Sequence, residues 1–515
     1  MTRRKRLWAS VCALGVAFLA WLWLFSDQIR QMQMIYTYAL VLEAGIGLVV
    51  WRLWYAKLSR KHRRRYLALL AVATLFFGSA VRFRGLTGDW LPILEWRWAR
   101  GVDWEARKLN ALYEGPVSNR PEIDLSGPVA FPSFLGPNGD STISGLPLAR
   151  DWQQQTPRLI WRKEIGAGWA GFSIVDGVAY TLEQRGDNEA TVAYDLETGR
   201  QRWIHSHRAY FSNPMSGPGP RTTPTVSQTQ VFSLGAAGAL QAFDRVTGEL
   251  QWRHDIVEEN GARLPEHGMS GSPLLVDGLL VVSAGGPKGR SLVAYDQASG
   301  DPVWTGGDDA AGFGPPVLAT LAGKRQILLF NHSSVVGHDP SDGSILWQYP
   351  WPANYPNVAP PLVVGADRVM FSTGYGVGAK MLRICTGDDG AQAAELLWES
   401  PRMKAKFTNL VLHEGFIYGL DDGVMVCLDP DTGERRWKRG RYGHGNILLV
   451  DDVLLVQTEK GEIVMLDPNP EELRELTRFR ALRGKAWNHF ALVDPYLLVR
   501  NDKEAALWEL PLSSI

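Results

Sequence analysis

Polar and aromatic residues stand at matching places through most of this 515-residue chain, each group a few positions ahead of a short apolar run. They are Trp169 and Ser173, Arg221 and Thr222, Met269 and Ser270, Lys404 and Lys406, His444 and Asn446, and Trp487, Asn488 and His489. If the apolar runs are the innermost strands of a closed repeat, these side chains converge at one mouth of a central channel. Convergent polar and aromatic groups there make a binding pocket. The imidazoles of His444 and His489 could serve in it as base or ligand. The same residues also fit a plainer role, as rim groups hydrogen-bonded to neighbouring loops.

Signatures of a dedicated catalyst are missing. GMSGS (Gly268–Ser272) fails the G-x-S-x-G pattern at its last position, and His413–Glu414 lacks the second His of a zinc helix. No C-x-x-C occurs, so no structural zinc pattern is available. GYGVGAK (Gly374–Lys380) has phosphate-loop-like glycine spacing, but it falls in a hairpin with no helix after it, which reads as turn glycine. Of the three cysteines, Cys12 lies in an apolar N-terminal run, and Cys385 and Cys427 stand at unequal offsets from their nearest downstream Trp, which argues against a disulfide.

The elements that must position the polar groups are repeats. AYDLETGRQRW (Ala193–Trp203), AFDRVTGELQW (Ala242–Trp252), AYDQASGDPVW (Ala294–Trp304), GHDPSDGSILW (Gly337–Trp347) and CLDPDTGERRW (Cys427–Trp437) are copies of one unit. A looser copy ends at Trp398, a degenerate one contains Asp467, and LIWRKEI supplies Trp161. A spacing of 40–50 residues signals a propeller or solenoid. Each unit reads as an apolar strand, an Asp-Gly turn, a second strand, a Gly-rich turn, an alternating strand and D-x-x-T-G-x-x-x-W. Four short antiparallel strands make a propeller blade. The C-terminal AALWELPL lacks a following strand and LIWRKEI lacks a preceding one, so joining them closes an eight-bladed ring and removes the open edge. The fold class expected is all-β, an eight-bladed propeller over 131–515, preceded by a juxtamembrane segment and linker at 84–130.

The first 83 residues read as a membrane anchor. Leu7–Phe25 has no charge, Ile35–Trp51 has one, Glu43, and Tyr66–Val81 has none. Three transmembrane helices are expected, at about 7–25, 35–55 and 66–83. A cleaved signal peptide would explain the first run alone, but no clear small-x-small site follows Phe25. The chain's 54 basic and 54 acidic residues cancel, yet residues 1–108 hold 18 Lys/Arg against 6 Asp/Glu. That surplus lies largely in MTRRKR and AKLSRKHRRR, short basic loops that stay in the cytoplasm. The propeller is then exported to the periplasmic face of a bacterial inner membrane. The acidic remainder excludes a basic groove and hence nucleic acid as partner. Glu43 inside a span would be an ion site, or a carboxylate packed against neighbouring helices or partly hydrated. RFRGLTGDWLPILEWRW, with four aromatic residues, suits either the membrane surface or the underside of the propeller.

The D-x-x-T-G-x-x-x-W copies resemble the repeat of quinoprotein-type (PQQ-repeat) β-propellers. That superfamily includes PQQ-dependent alcohol and glucose dehydrogenases and the outer-membrane assembly lipoprotein BamB. PSFLGPNGDS, RYGHGNILLV and KAWNHFALVDPYLLVRNDKEAALWEL are similar to segments of membrane-anchored bacterial members. The resemblance implies that Trp161, Trp203, Trp252, Trp304, Trp347, Trp398 and Trp437 dock one blade on the next. For the enzymes it implies PQQ stacked on a Trp, with an adjacent cysteine pair on its other side that the glucose dehydrogenases dispense with, and Ca²⁺ beside a catalytic Asp. No two cysteines here are adjacent, which counts against a bound quinone. Two functions follow. One is a non-catalytic, membrane-tethered binding or scaffold module for an envelope protein, peptide or other component. The other is a PQQ-dependent dehydrogenase oxidising an alcohol or sugar and passing electrons to membrane quinone.

Overall fold

Each D-x-x-T-G segment ends one hairpin and starts the outer strand of a blade. In the first, the Asp195 carboxylate accepts the Thr198 backbone N–H at 2.8 Å and the Thr198 hydroxyl at 2.7 Å. Asp244 repeats the arrangement with Thr247, and Asp296 does so with the backbone of Ser299. The side chain mimics a backbone turn, and the glycine that follows supplies the positive φ.

A computed structural model of the chain describes residues 3–24, 30–55, 59–98, 130–213 and 215–513. They belong to two units, Met1–Gly101 and Val102–Ile515. In the second unit eight blades, each of four antiparallel strands, follow one another. The innermost strands of blades 1 to 4 are Ser173–Val175, Thr225–Val226, Leu274–Val276 and Val317–Leu321. Those of blades 5 to 8 are Leu362–Val364, Val411–His413, Asn446–Val450 and Ala491–Val493.

Blade 8 takes three strands from the C-terminus and its outer strand, Arg158–Glu164, from the front of the domain. Glu504–Glu509 pairs antiparallel with it, Leu507 opposite Trp161. This is the closure expected from the two incomplete ends. The ring is tied further by Ala149 N–H donating to the Pro511 carbonyl at 2.8 Å and Ser513 N–H to that of Pro147 at 2.9 Å.

The segment before the ring also joins it. Ala130–Phe131 pairs with Ile174–Val175, the last residues of blade 1's innermost strand. Thr142–Ile143 lies parallel to Leu449–Val450, the last residues of that strand in blade 7. Pro132–Gly139 runs between these two pairings, inside the ring beside the innermost strands of blades 2 to 4. There it lines a cavity of about 280 Å³ with Val226, Leu274, Leu275, Val317 and Leu318.

The repeated tryptophans link blades. The indole N–H of Trp203 donates to Arg245 O at 3.1 Å, of Trp252 to Gln297 O at 3.1 Å, and of Trp304 to Pro340 O at 3.1 Å. Trp161, Trp398 and Trp437 reach Leu196, Pro430 and Asn469 in the same way. Each acceptor lies in the turn of the following blade. Trp347 differs: its N–H meets the Gln326 side chain of its own blade, because blade 5 carries the looser turn copy. Blade 7 has Thr477 at the equivalent place, opposite Met465. Blade 8 offers no turn to receive an indole there, since its last two strands come from opposite ends of the chain. Trp152 fills the space, its backbone N–H on the Thr477 hydroxyl at 3.3 Å and its ring edge-on to Phe479 at 5.3 Å.

The first unit holds helices Arg3–Leu24, Arg30–Val50, extended by a π turn to Tyr55, and Arg60–Ala80. The expectation of three full spans needs correction. Among the described residues one helix segment, Gln31–Leu53, is long and apolar enough to cross a membrane, with mean hydropathy 1.7. The apolar stretch described in the first helix is the shorter Ala13–Leu24. The third helix stops at Ala80, and Val81–Leu86 becomes a strand paired with Pro92–Trp96 instead of running on to residue 83. From Tyr66 to Ala80 it spans about 22 Å at 1.5 Å per residue, against roughly 30 Å of hydrocarbon. Glu43 lies on an exposed helix face. Residues 99–129 of the expected juxtamembrane segment and linker, and Cys12's side chain, lie outside what is described.

Candidate functional site

The sequence places polar residues just ahead of the innermost strands, and the structure sorts them into two kinds. Several tie blades together. The Asn446 amide N–H donates to Trp487 O at 3.0 Å and Asn488 O at 3.2 Å, and Asn488 donates to Gly168 O at 3.1 Å and Ala170 O at 2.7 Å. Blades 7, 8 and 1 are thus linked in series. Ser173 donates to Pro224 O, Thr222 to Leu234 O within its own blade, and Ser270 to Phe313 O at 3.1 Å. Met269 is core, at 3% exposure.

The others gather at the mouth. Trp169 and Trp487, both half-buried, lie with ring centroids 4.8 Å apart. The Lys485 ammonium stands over both rings, 3.7 Å from the centre of Trp487 and 4.7 Å from that of Trp169. Burial pushes its pKa down to about 8, against the pull of the Asp502 and Glu459 carboxylates. Phe407 packs on Trp487 at 4.9 Å and on His444 at 5.1 Å. The Trp487 N–H donates to Glu459 at 2.9 Å, and the Trp169 N–H to Ser216 O.

The cations of this mouth already have partners. Arg221 donates to the Ser216 hydroxyl at 2.8 Å and Gly217 O at 3.0 Å, and lies over the Phe211 ring at 4.6 Å. Burial lowers its pKa to about 10. Lys404 pairs with Asp421 at 2.6 Å, and Lys438 takes the other oxygen of that carboxylate. Lys406, fully buried, pairs with Asp422 at 3.2 Å and stands over Tyr375 at 5.4 Å. Gly374 permits this, since a Cβ there would lie 2.2 Å from Lys406 Cγ.

His489 leaves the group. It is 4% exposed, with its ring on Phe490, Phe131 and Phe134, and burial pushes its pKa down to about 4. It is neutral near pH 7 and packs against the segment Phe131–Phe134 that precedes the ring. Lys485, Phe407, Glu459, Tyr375, Asp421 and Asp422 belong to the mouth but were not expected there. Lys485, two positions before Trp487 in KAWNHF, and Phe407, next to Lys406, had a local signal.

The quinone cofactor of the enzymes this repeat resembles needs carboxylate and amide oxygens converging on Ca²⁺ beside its ring. Here Asp421, Asp422 and Glu459 are each held by a lysine or an indole N–H. Cys427 is buried in blade 6 and Cys385 exposed on blade 5. Among the described residues no three His, Cys, Asp or Glu side chains converge as for a metal ion. The residues present do not fit the group.

Solved structures similar in fold include BamB of Moraxella catarrhalis, with TM-score 0.51 and 13% identity over 69% of this chain and 100% of that one. A europium-containing methanol dehydrogenase gives TM-score 0.54 and 12% identity, over 78% of this chain and 100% of its own. The quinohemoprotein alcohol dehydrogenase ADHIIG of Pseudomonas putida HK5 gives 0.50 and 12%, over 76% and 81%. At such identities the likeness is one of fold. No curated protein matches the chain by sequence. A family profile described as outer membrane protein assembly factor BamB matches residues 149–267 and 189–439, together more than half of the chain. With its eight blades and inter-blade indoles, the chain belongs to that family of PQQ-like repeat propellers.

Proposed function

We propose that this protein is a membrane-anchored, non-catalytic binding module whose propeller mouth engages an envelope protein or peptide. The observation that carries the reading is the mouth itself. Its carboxylates and lysines are matched internally, leaving the half-buried rings of Trp169, Trp487 and Phe407 around Lys485 as the groups on offer. Tryptophan in a partly desolvated cluster is the residue type that dominates protein interfaces. The family's description as an outer membrane protein assembly factor favours an envelope protein as the partner class.

Anchoring is supported by Gln31–Leu53 and by apolar side chains exposed on all three helices, among them Leu14, Val41, Leu42, Ile46, Leu69, Val72 and Leu75. Lipid is the solvent in which such surfaces are stable. The basic residues of the N-terminus and of Arg60–Arg65 favour a cytoplasmic position for those ends and an exported propeller. Reporter fusions after residues 57 and 130 test the orientation.

A photo-crosslinker in place of Phe407, in the full chain in native membranes, tests the binding. A discrete envelope-protein adduct that Trp487→Ala abolishes is expected. Quinone absorbance with dye reduction by an alcohol or sugar, after adding PQQ and Ca²⁺ to the purified protein, would overturn the reading in favour of a dehydrogenase.

A further inference from the structure

The hairpin that follows the third helix carries an exposed apolar face. Val81 lies opposite Trp96 and Phe83 opposite Leu94, so by strand alternation these four share one side. Phe83 is 59% exposed, Leu94 62% and Trp96 45%; Trp98 stacks on Trp96 at 5.3 Å and is also open. The intervening residues of the sequence are Arg82, Arg84, Glu95 and Arg97.

Its place in the unit is fixed at both ends. Arg97 N–H donates to Ala80 O at 2.7 Å, which holds the base against the end of helix Arg60–Ala80. At the tip, Gln31 donates to Gly88 O at 3.0 Å and Tyr38 to Trp90 O at 3.3 Å, near the start of helix Arg30–Val50. Helix Arg3–Leu24 ends at the same level, since Gln33 donates to Leu22 O at 2.9 Å. The hairpin thus caps the end of the helices away from Arg3–Arg6 and Arg60–Arg65. Its apolar face continues that of the third helix, where Phe76 meets Trp98 at 6.2 Å.

We propose that Val81–Trp98 is an interfacial element that lays Phe83, Leu94, Trp96 and Trp98 into the headgroup–acyl boundary of the bilayer. The proposal rests on the anchor argued above. Tryptophan concentrates at that depth, where an apolar ring and a polar edge are both accommodated. Arginines alternating with the apolar positions suit anionic headgroups. A continuous apolar surface from a lipid-facing helix onto the hairpin selects lipid as its cover.

The test uses the full chain in vesicles of zwitterionic and anionic lipid, with Cys12, Cys385 and Cys427 replaced by serine. A polarity-sensitive fluorophore is attached through Phe83→Cys, Leu94→Cys or, as control, Val246→Cys, a position 79% exposed on the propeller. Blue-shifted emission at the first two positions is expected. Quenching there should be about twofold stronger by lipids labelled near the headgroup than by lipids labelled near the chain end, with neither quenching the control. Water-like emission quenched by iodide would overturn the proposal. So would blue-shifted emission that neither lipid label nor iodide reaches, the signature of packing on the propeller. Alkaline extraction keeps the readings separate. A chain that washes off disproves the anchor, whereas a retained chain with an unquenched hairpin disproves only the interfacial placement.

Discussion

The guanidinium of Arg162 and the carboxylate of Glu504 meet at 2.8 Å across the strand pair that closes the propeller, with side chains 6% and 0% exposed. Arg162 also donates to Ala481 O at 2.8 Å, and the same Glu504 oxygen accepts the Arg483 backbone N–H at 2.6 Å. One residue comes from each end of the domain, so the pair reports directly on closure. Glu504→Ala leaves a buried guanidinium without its counter-charge, at a cost of about 3–5 kcal/mol. Combining Arg162→Met with Glu504→Leu should recover most of that, because apolar replacement of both partners removes two desolvation penalties. Urea unfolding measures both. A Glu504→Ala loss under about 1 kcal/mol would mean the pair behaves as a surface ion pair and closure rests on the strands alone.

The turn glycines answer to two demands that substitution can separate. Gly343 has φ +76°, and a Cβ on it would lie 2.4 Å from the Trp304 ring. Gly323 has nearly the same φ, +75°, with nothing within 4 Å. Gly323→Ala should therefore cost about 1 kcal/mol from backbone strain. Gly343→Ala should cost about 2–4 kcal/mol, since Trp304 must leave its seat and lose its hydrogen bond to Pro340. Equal losses in thermal or urea unfolding would dismiss the ring-over-glycine contact as a determinant of blade docking.

That contact makes the propeller legible in the sequence. Asp195 binds Thr198 three residues on, so the turn is encoded locally. Gly199, Gly248, Gly300, Gly343 and Gly433 each lie beneath an indole of the preceding blade. The repeat thus writes its inter-blade contact into a short string. The mouth carries no such string. Lys485 meets Trp169 across some three hundred residues of sequence, and Phe407 meets Trp487 from another blade. Asn446 and His489 looked alike as polar residues beside apolar runs. One became a tie between blades and the other a core imidazole, because loop backbone and the segment Phe131–Phe134 arrive from elsewhere. The third helix misled for a related reason. Val81 and Phe83 are apolar enough to prolong it, but pairing with Leu94 and Trp96 draws them into a strand.

Acid should weaken the propeller partly through His489. Its folded-state pKa near 4 lies below the ordinary 6.5, so between those values the unfolded chain binds a proton that the folded chain refuses. Stability from this group is full above pH 6.5 and falls as pH drops toward 4. His205, His207, His267 and His338 are shifted in the same direction, so His489 carries one part of a shared slope. His489→Phe suits the surrounding rings and should reduce the drop in urea midpoint between pH 7 and pH 5. An unchanged drop would mean that this imidazole takes up its proton in the folded state.

Lys485 gives the opposite end of the pH scale and ties stability to the candidate site. Its pKa is held near 8 rather than 10.5, so between those values the folded chain again binds fewer protons than the unfolded one. Stability from this group therefore rises with pH across that window, as the buried charge is relieved. Lys163, over the Tyr194 ring at 4.2 Å and also near 8, contributes a second share, so Lys485→Met should flatten the slope without abolishing it. Trp487→Ala opens the ammonium to water and should return the Lys485 pKa toward 10.5, read by pH-dependent acylation of that amine. If Lys485 already titrates like a surface lysine in the unmodified protein, the Trp169–Lys485–Trp487 stack is open in solution. A partner would then meet separate side chains rather than a preformed aromatic platform.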